Sequence, residues 1–114
     1  MCGIVGIIAE KQINQLIYDS LLLLQHRGQD STGIATMEGS LFHLFKSKGQ
    51  VKEAYRTRDM RSLKGNIGIG HVRYATKGAA DSENEAQPFY VNAPYGIILV
   101  HNGNLTNTRE LEKQ

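Results

Sequence analysis

Met1-Cys2-Gly3-Ile4-Val5-Gly6-Ile7-Ile8-Ala9 is the stretch around which the rest of the chain is organised. The apolar residues that follow Cys2 without a break predict a strand buried on both faces. Cys2 is the one cysteine among the 114 residues. Aminopeptidases remove an initiator methionine that precedes a small residue, and cysteine is small enough. Loss of Met1 would leave Cys2 first in the chain, with an α-amine and a thiol on adjacent carbons. An α-amine titrates at about 7.7–8.0 and a thiol at about 8.5. The amine can therefore act as base for its own thiol, as N-terminal threonine does in the enzymes that use it. The alternative is a lone cysteine serving as a small buried hydrophobe. Position and thiol alone do not separate the two.

Outward from this strand, Glu10-Lys11-Gln12 ends the apolar run and a helix begins. Ile13, Leu16, Ile17, Leu21 and Leu24 form one helical stripe. Leu22 and Leu23 widen it, which predicts a helix covered on more than one side. His26-Arg27-Gly28 suits the helix end, with cations in the last turn and glycine beyond it. Gly33–Met37 and Leu41–Phe45 read as two strands joined in a hairpin at Glu38-Gly39-Ser40. From Lys46 to Lys64 seven cations stand against Glu53 and Asp59. Short helical turns around Val51–Tyr55 and Asp59–Leu63 fit this segment. With only Tyr55 available for base stacking, it reads as a solvated or domain-facing surface rather than a nucleic-acid site.

Gly65–Val72 is a strand interrupted by glycines, which weaken a strand unless something must approach it closely. Arg73-Tyr74-Ala75-Thr76 ends it, and the small polar residues from Lys77 to Gln87 suggest a mobile lid. Pro88–Val91 is extended, Asn92–Tyr95 a turn, and Gly96–Val100 a second buried strand. Asn107 and Glu110 form a capping pair that would open a last helix.

Composition bounds the function. The chain is 40% hydrophobic and 21% charged with a net charge of +2, ordinary for one soluble domain and too weakly basic for a nucleic-acid partner. One unpaired thiol fits the cytoplasm. No apolar run approaches the roughly 20 residues of a membrane span, and no basic segment precedes the first one, so neither a membrane partner nor a secretory signal is expected.

Three groups of residues carry candidate chemistry. Asn102-Gly103, after an apolar strand, is either a tight hairpin turn or an oxyanion hole, built from a side-chain amide and an unobstructed backbone N–H. Arg73 at a strand end suits a two-pronged grip on a carboxylate; the alternative is a surface arginine. His26, His71 and His101 lack metal-ligand spacing and read as structural, so no metal site is expected in this chain.

Five ordered blocks tie these pieces together: Cys2-Gly3-Ile4-Val5-Gly6, Gln25-His26-Arg27-Gly28-Gln29-Asp30-Ser31, Gly70-His71-Val72-Arg73-Tyr74-Ala75-Thr76, Asn84-Glu85-Ala86-Gln87-Pro88-Phe89 and His101-Asn102-Gly103-Asn104-Leu105. Together they resemble the class II glutamine amidotransferases, a branch of the N-terminal-nucleophile hydrolases. Within that family the chain is most similar to the members that pass ammonia to phosphoribosylpyrophosphate, making 5-phosphoribosylamine for purine synthesis. The glucosamine-6-phosphate synthases share Cys-Gly-Ile and His-Asn-Gly, but typically carry Tyr-Arg-Gly-Tyr-Asp where this chain has His26-Arg27-Gly28-Gln29-Asp30.

The resemblance implies an α+β fold, the four-layer αββα sandwich, incomplete in this chain. It implies that Cys2 is the nucleophile and that Asn102 and Gly103 form the oxyanion hole. Arg73 would bind the glutamine α-carboxylate, Thr76 would belong to the closing loop, and Arg27 and Gly28 would position the nucleophile. It further implies that residues 1–114 are the N-terminal part of one glutaminase domain. The rest of that domain and a phosphoribosyltransferase domain, with its magnesium, are expected beyond Gln114. An acidic residue for the substrate's α-amine is expected there too. A homo-oligomeric parent is expected. The alternatives are a glutaminase serving another acceptor, such as glucosamine-6-phosphate synthesis, and a truncated, non-catalytic fragment.

Overall fold

The computed structural model describes residues 3–24, 31–73, 87–91 and 97–100. Its centre is a four-stranded antiparallel sheet ordered β1-β4-β2-β3. β1 (Gly3–Ile8) is an edge strand, and β4 (Ile67–Arg73) lies between it and β2 (Ser31–Glu38). β2 and β3 (Leu41–Lys48) form the predicted hairpin. Glu38 pairs with Leu41, and Gly39 takes φ +59°, the left-handed conformation that favours glycine in so short a turn.

α1 (Asn14–Leu24) crosses one face of this sheet. Ile13, just ahead of it, and Ile17 and Leu21 are fully buried, each worth roughly 1.5–3 kcal/mol relative to exposure. The alternating glycines of β4 find their reason here. A Cβ on Gly68 would stand 2.7 Å from Ile17 Cδ1 and 2.8 Å from Ile13 Cδ1; one on Gly70 would stand 2.7 Å from Ile17 Cγ2. The helix approaches the strand closely because those positions carry no side chain.

The basic segment forms α2 (Val51–Ala54) and α3 (Thr57–Ser62) beside α1. Val51, Tyr55 and Leu63 join the core with Ile34 and Val72, while Lys48, Lys52, Arg56, Arg58, Arg61 and Lys64 are exposed. The sequence reading of this segment, a solvated or a domain-facing surface, is compatible with that exposure in either form.

The opposite face carries a small hairpin of β5 (Phe89–Val91) and β6 (Ile97–Leu99). Tyr90 meets Phe42 edge-on with ring centroids 5.9 Å apart, and Lys46 Nζ lies 5.7 Å from the Phe89 ring centroid. Helix, sheet and hairpin make three layers in the order α, β, β. The expected outer helical layer, the turn at 92–95 and the last helix lie outside the described residues. Among those described, no helix is long and apolar enough to cross a membrane.

Three burial expectations are corrected. β1 packs one face only: Val5 and Ile7 are half-buried toward α1, while Ile4 and Ile8 are exposed. The small hairpin sits over β2 and β3 and leaves this edge strand bare among the described residues. Leu16 and Leu23 are exposed, so the stripe of α1 is narrower than its leucines suggest. In β6 only Ile98 is half-buried, with Ile97 and Leu99 exposed, because the hairpin has a described neighbour on one side alone.

Candidate functional site

The alternation along β4 assigns each of its side chains to a layer. Gly68, Gly70 and Val72 face α1, so Ile67, Ile69, His71 and Arg73 face the hairpin side. Arg73 is therefore the half-buried end of a row on the face between the two sheets. Directly opposed residues of antiparallel strands share a face. Ser31 opposes both Arg73 on β4 and Lys48 on β3, giving the row Lys48–Ser31–Arg73 across three strands. The next row is Lys46–Gly33–His71.

Gly33 in that second row explains how the site is roofed. The Gln87 carbonyl and the Pro88 ring lie over it; a Cβ there would stand 2.8 Å from Pro88 Cδ and run into the Gln87 carbonyl oxygen. Gln87 and His71 are buried, at 4% and 0% exposure. Further along the same face, Ala35, Met37, Phe42, Ile67, Ile69 and Ile98 line an apolar cleft of about 260 Å³.

The α1 side of β2 anchors the same end of the sheet. Thr32 Oγ1 donates to the His71 carbonyl oxygen at 3.0 Å and lies 3.1 Å from the Tyr55 hydroxyl. Burial pushes the Tyr55 phenol above its ordinary value, with the Thr32 hydrogen bond opposing that shift and Tyr18 adding slightly to it. Tyr55 also stacks edge-on with Tyr18 at 5.7 Å and tilted on Phe45 at 5.2 Å.

Of the residues singled out in the sequence, Arg73 and His71 are brought to one face, on the strand adjoining β1. Gly3 opposes Val72, so the described part of β1 stops one residue short of Cys2. Cys2, Arg27, Gly28, Thr76, Asn102 and Gly103 lie outside the described residues, as do His26, His101 and the lid expected between Lys77 and Gln87, apart from Gln87 itself. Among the described residues no three His, Cys, Asp or Glu side chains converge as a metal site. Sequence reading missed Ser31, Gly33 and Thr32. Their one signal was polar and small residues at the start of a strand, which takes its meaning only from the register.

A family model described as glutamine amidotransferases class-II matches residues 1–114. An amidophosphoribosyltransferase of Escherichia coli is 57% identical over 115 residues, covering 100% of this chain and 23% of that protein. One of Pseudomonas aeruginosa is 54% identical over 114 residues, with the same 100% and 23% coverage. Among solved structures, the glutamine phosphoribosylpyrophosphate amidotransferase of B. subtilis, complexed with ADP and GMP, superposes with a TM-score of 0.82 at 32% identity. That match covers 99% of this chain and 24% of the other. The chain thus spans about a quarter of the length of the relatives it matches.

Proposed function

The chain belongs to the class-II glutamine amidotransferases, and from that premise we propose that it supplies the nucleophile and the carboxylate grip of a glutaminase. Met1 is removed, and the freed amine of Cys2 takes the thiol proton, directly or through a water. The sulfur attacks the side-chain amide carbon of glutamine. Asn102 and the Gly103 N–H hold the oxyanion, a role whose loss in other enzymes costs about 10²–10³ in rate. The C–N bond breaks, ammonia leaves with the transferred proton, and water hydrolyses the thioester to glutamate.

In this reading Arg73 grips the α-carboxylate, Thr76 belongs to a loop closing over the substrate, and Arg27 and Gly28 position the nucleophile. The observation that carries it is the placement of Arg73: last on β4, half-buried between the layers, on the strand paired with β1. Arg73 thus stands on the strand next to β1, whose first residue, Gly3, follows Cys2 in the sequence.

The relatives' names support a fuller proposal for the polypeptide as a whole. Its ammonia passes to phosphoribosylpyrophosphate to make 5-phosphoribosylamine, the opening of purine synthesis. The remainder of the glutaminase domain and a phosphoribosyltransferase domain, with its magnesium, belong to the sequence after Gln114. No metal step is assigned to residues 1–114. A cytoplasmic homo-oligomer completes the proposal. Transfer to another acceptor, as in glucosamine-6-phosphate synthesis, is not favoured by these relatives.

Intact mass spectrometry before and after treatment with a diazoketone analogue of glutamine tests the reading. Loss of Met1 and a single adduct on Cys2, suppressed by excess glutamine, are expected. A processed, folded protein that gains no adduct would sink it.

A further inference from the structure

Ser31 is 2% exposed, and its Oγ meets no hydrogen-bond partner among the described residues. A buried hydroxyl left unsatisfied is costly, and such groups in folded proteins call for an explanation. The surroundings of this one point to a ligand. Ser31 is the middle of the row Lys48–Ser31–Arg73, with a cation opposite it on each neighbouring strand. Adjacent strands lie about 4.8 Å apart, so the hydroxyl sits on the same floor as Arg73, one strand away. The floor lies between the sheet and the hairpin, and Gln87–Pro88 roofs it next door at Gly33. Two flanking positive charges make the corner attractive to a carboxylate. A hydroxyl, which both donates and accepts, can serve either end of an amino-acid head group.

We propose that Ser31 is a further substrate-binding residue, whose hydroxyl completes its hydrogen bonding on the α-amino-acid head group of glutamine beside Arg73. This rests on the reading of Arg73 as the carboxylate grip. In this arrangement Ser31 acts on the head group and not on the scissile amide, so it contributes to binding rather than to the chemical step.

The test uses the full-length protein with Ser31→Ala, and with Arg73→Lys as the reference. Ser31→Ala removes a hydroxyl that has no hydrogen-bond partner among the described residues, so its melting temperature should hold or rise. The KM for glutamine should rise roughly tenfold, the loss of about one hydrogen bond, with kcat within about twofold. Alkylation of Cys2 separates binding from general disorder. A glutamine-analogue diazoketone, which carries the head group, should react more slowly with Ser31→Ala. Iodoacetamide, which lacks a head group, should react at the wild-type rate.

An unchanged KM in Ser31→Ala overturns the proposal, whatever the melting temperature does. So does equal slowing by both reagents, which would mean a distorted site. A glutamine KM unmoved by Arg73→Lys would instead fault the reading of Arg73, and the Ser31 results would then be judged on the two alkylation rates alone.

Discussion

Ser31 and Arg73 stand directly opposite one another across β2 and β4, the hydroxyl buried and the arginine half-buried on the face between the layers. The pairing is a product of register. Gly68 and Gly70 must face α1 for the helix to pack, and the period of two then sends His71 and Arg73 to the other side. One slip in register would exchange every residue of the candidate site for a residue of the core.

Arg73 is the first position to probe. Arg73→Lys keeps the charge but loses the fork that grips a carboxylate through two parallel hydrogen bonds. Hydrogen bonds to charged groups are worth about 1.5–3 kcal/mol, so glutamine KM should rise roughly 10- to 100-fold while kcat falls much less. Steady-state glutaminase assays would read this directly. A fall in kcat with KM unmoved would place Arg73 in the chemical step instead of the grip.

Gly33→Ala probes the roof. The new methyl would collide with the Gln87 carbonyl and the Pro88 ring, both held by the start of the β5–β6 hairpin. Overpacking of this kind costs about 1–3 kcal/mol. A lower melting temperature is expected, with faster hydrogen exchange in residues 89–91 and 97–99. Exchange that quickens instead in α1, on the far side of the sheet, would contradict the layer order.

Much of the fold was legible because its signals are local. The turn at Gly39, the stripe of Ile13, Ile17 and Leu21, and the short turns of the basic segment follow from spacing alone. The errors were of burial. Ile4, Ile8, Leu16, Leu23, Ile97 and Leu99 are apolar, and their pattern predicts burial, yet each is exposed among the described residues. Apolarity states that a side chain gains by being covered; which layer covers it depends on partners that one sequence window does not contain. The site divides the same way. Arg73 stood out by its type at a strand end, whereas Ser31 became a candidate only through a neighbour 42 positions along the chain, on another strand. Motif reading also named Cys2, Asn102 and Gly103 by residue type; they lie outside the described residues.

Thr32→Val tests the anchor beneath the site. The substitution keeps the shape of the side chain and removes the bridge between Tyr55 and the His71 carbonyl. Two buried polar groups then lose a partner, and a destabilisation of about 1–3 kcal/mol is expected. A double-mutant cycle with Tyr55→Phe isolates the Thr32–Tyr55 part. Urea midpoints of the four proteins would show it: additive effects would mean that the two hydroxyls do not interact.

Tyr55 gives a pH dependence of known sign. Burial raises its phenol above the ordinary value near 10. Below about pH 10 the phenol is neutral in both folded and unfolded chains, and its contribution to stability is fully present. Above that, the unfolded chain gives up the proton while the folded one keeps it, so unfolding is favoured as pH rises. The decline from this one group reaches at most about 1.4 kcal/mol per pH unit and continues until the folded phenol ionises. Tyr55→Phe has no such proton to lose. Measured by urea unfolding between pH 8 and pH 11, the variant should lose less stability than the wild type over the upper part of that range. Parallel declines would mean that Tyr55 ionises as readily folded as unfolded, which its packing against Tyr18, Phe45 and Thr32 does not allow.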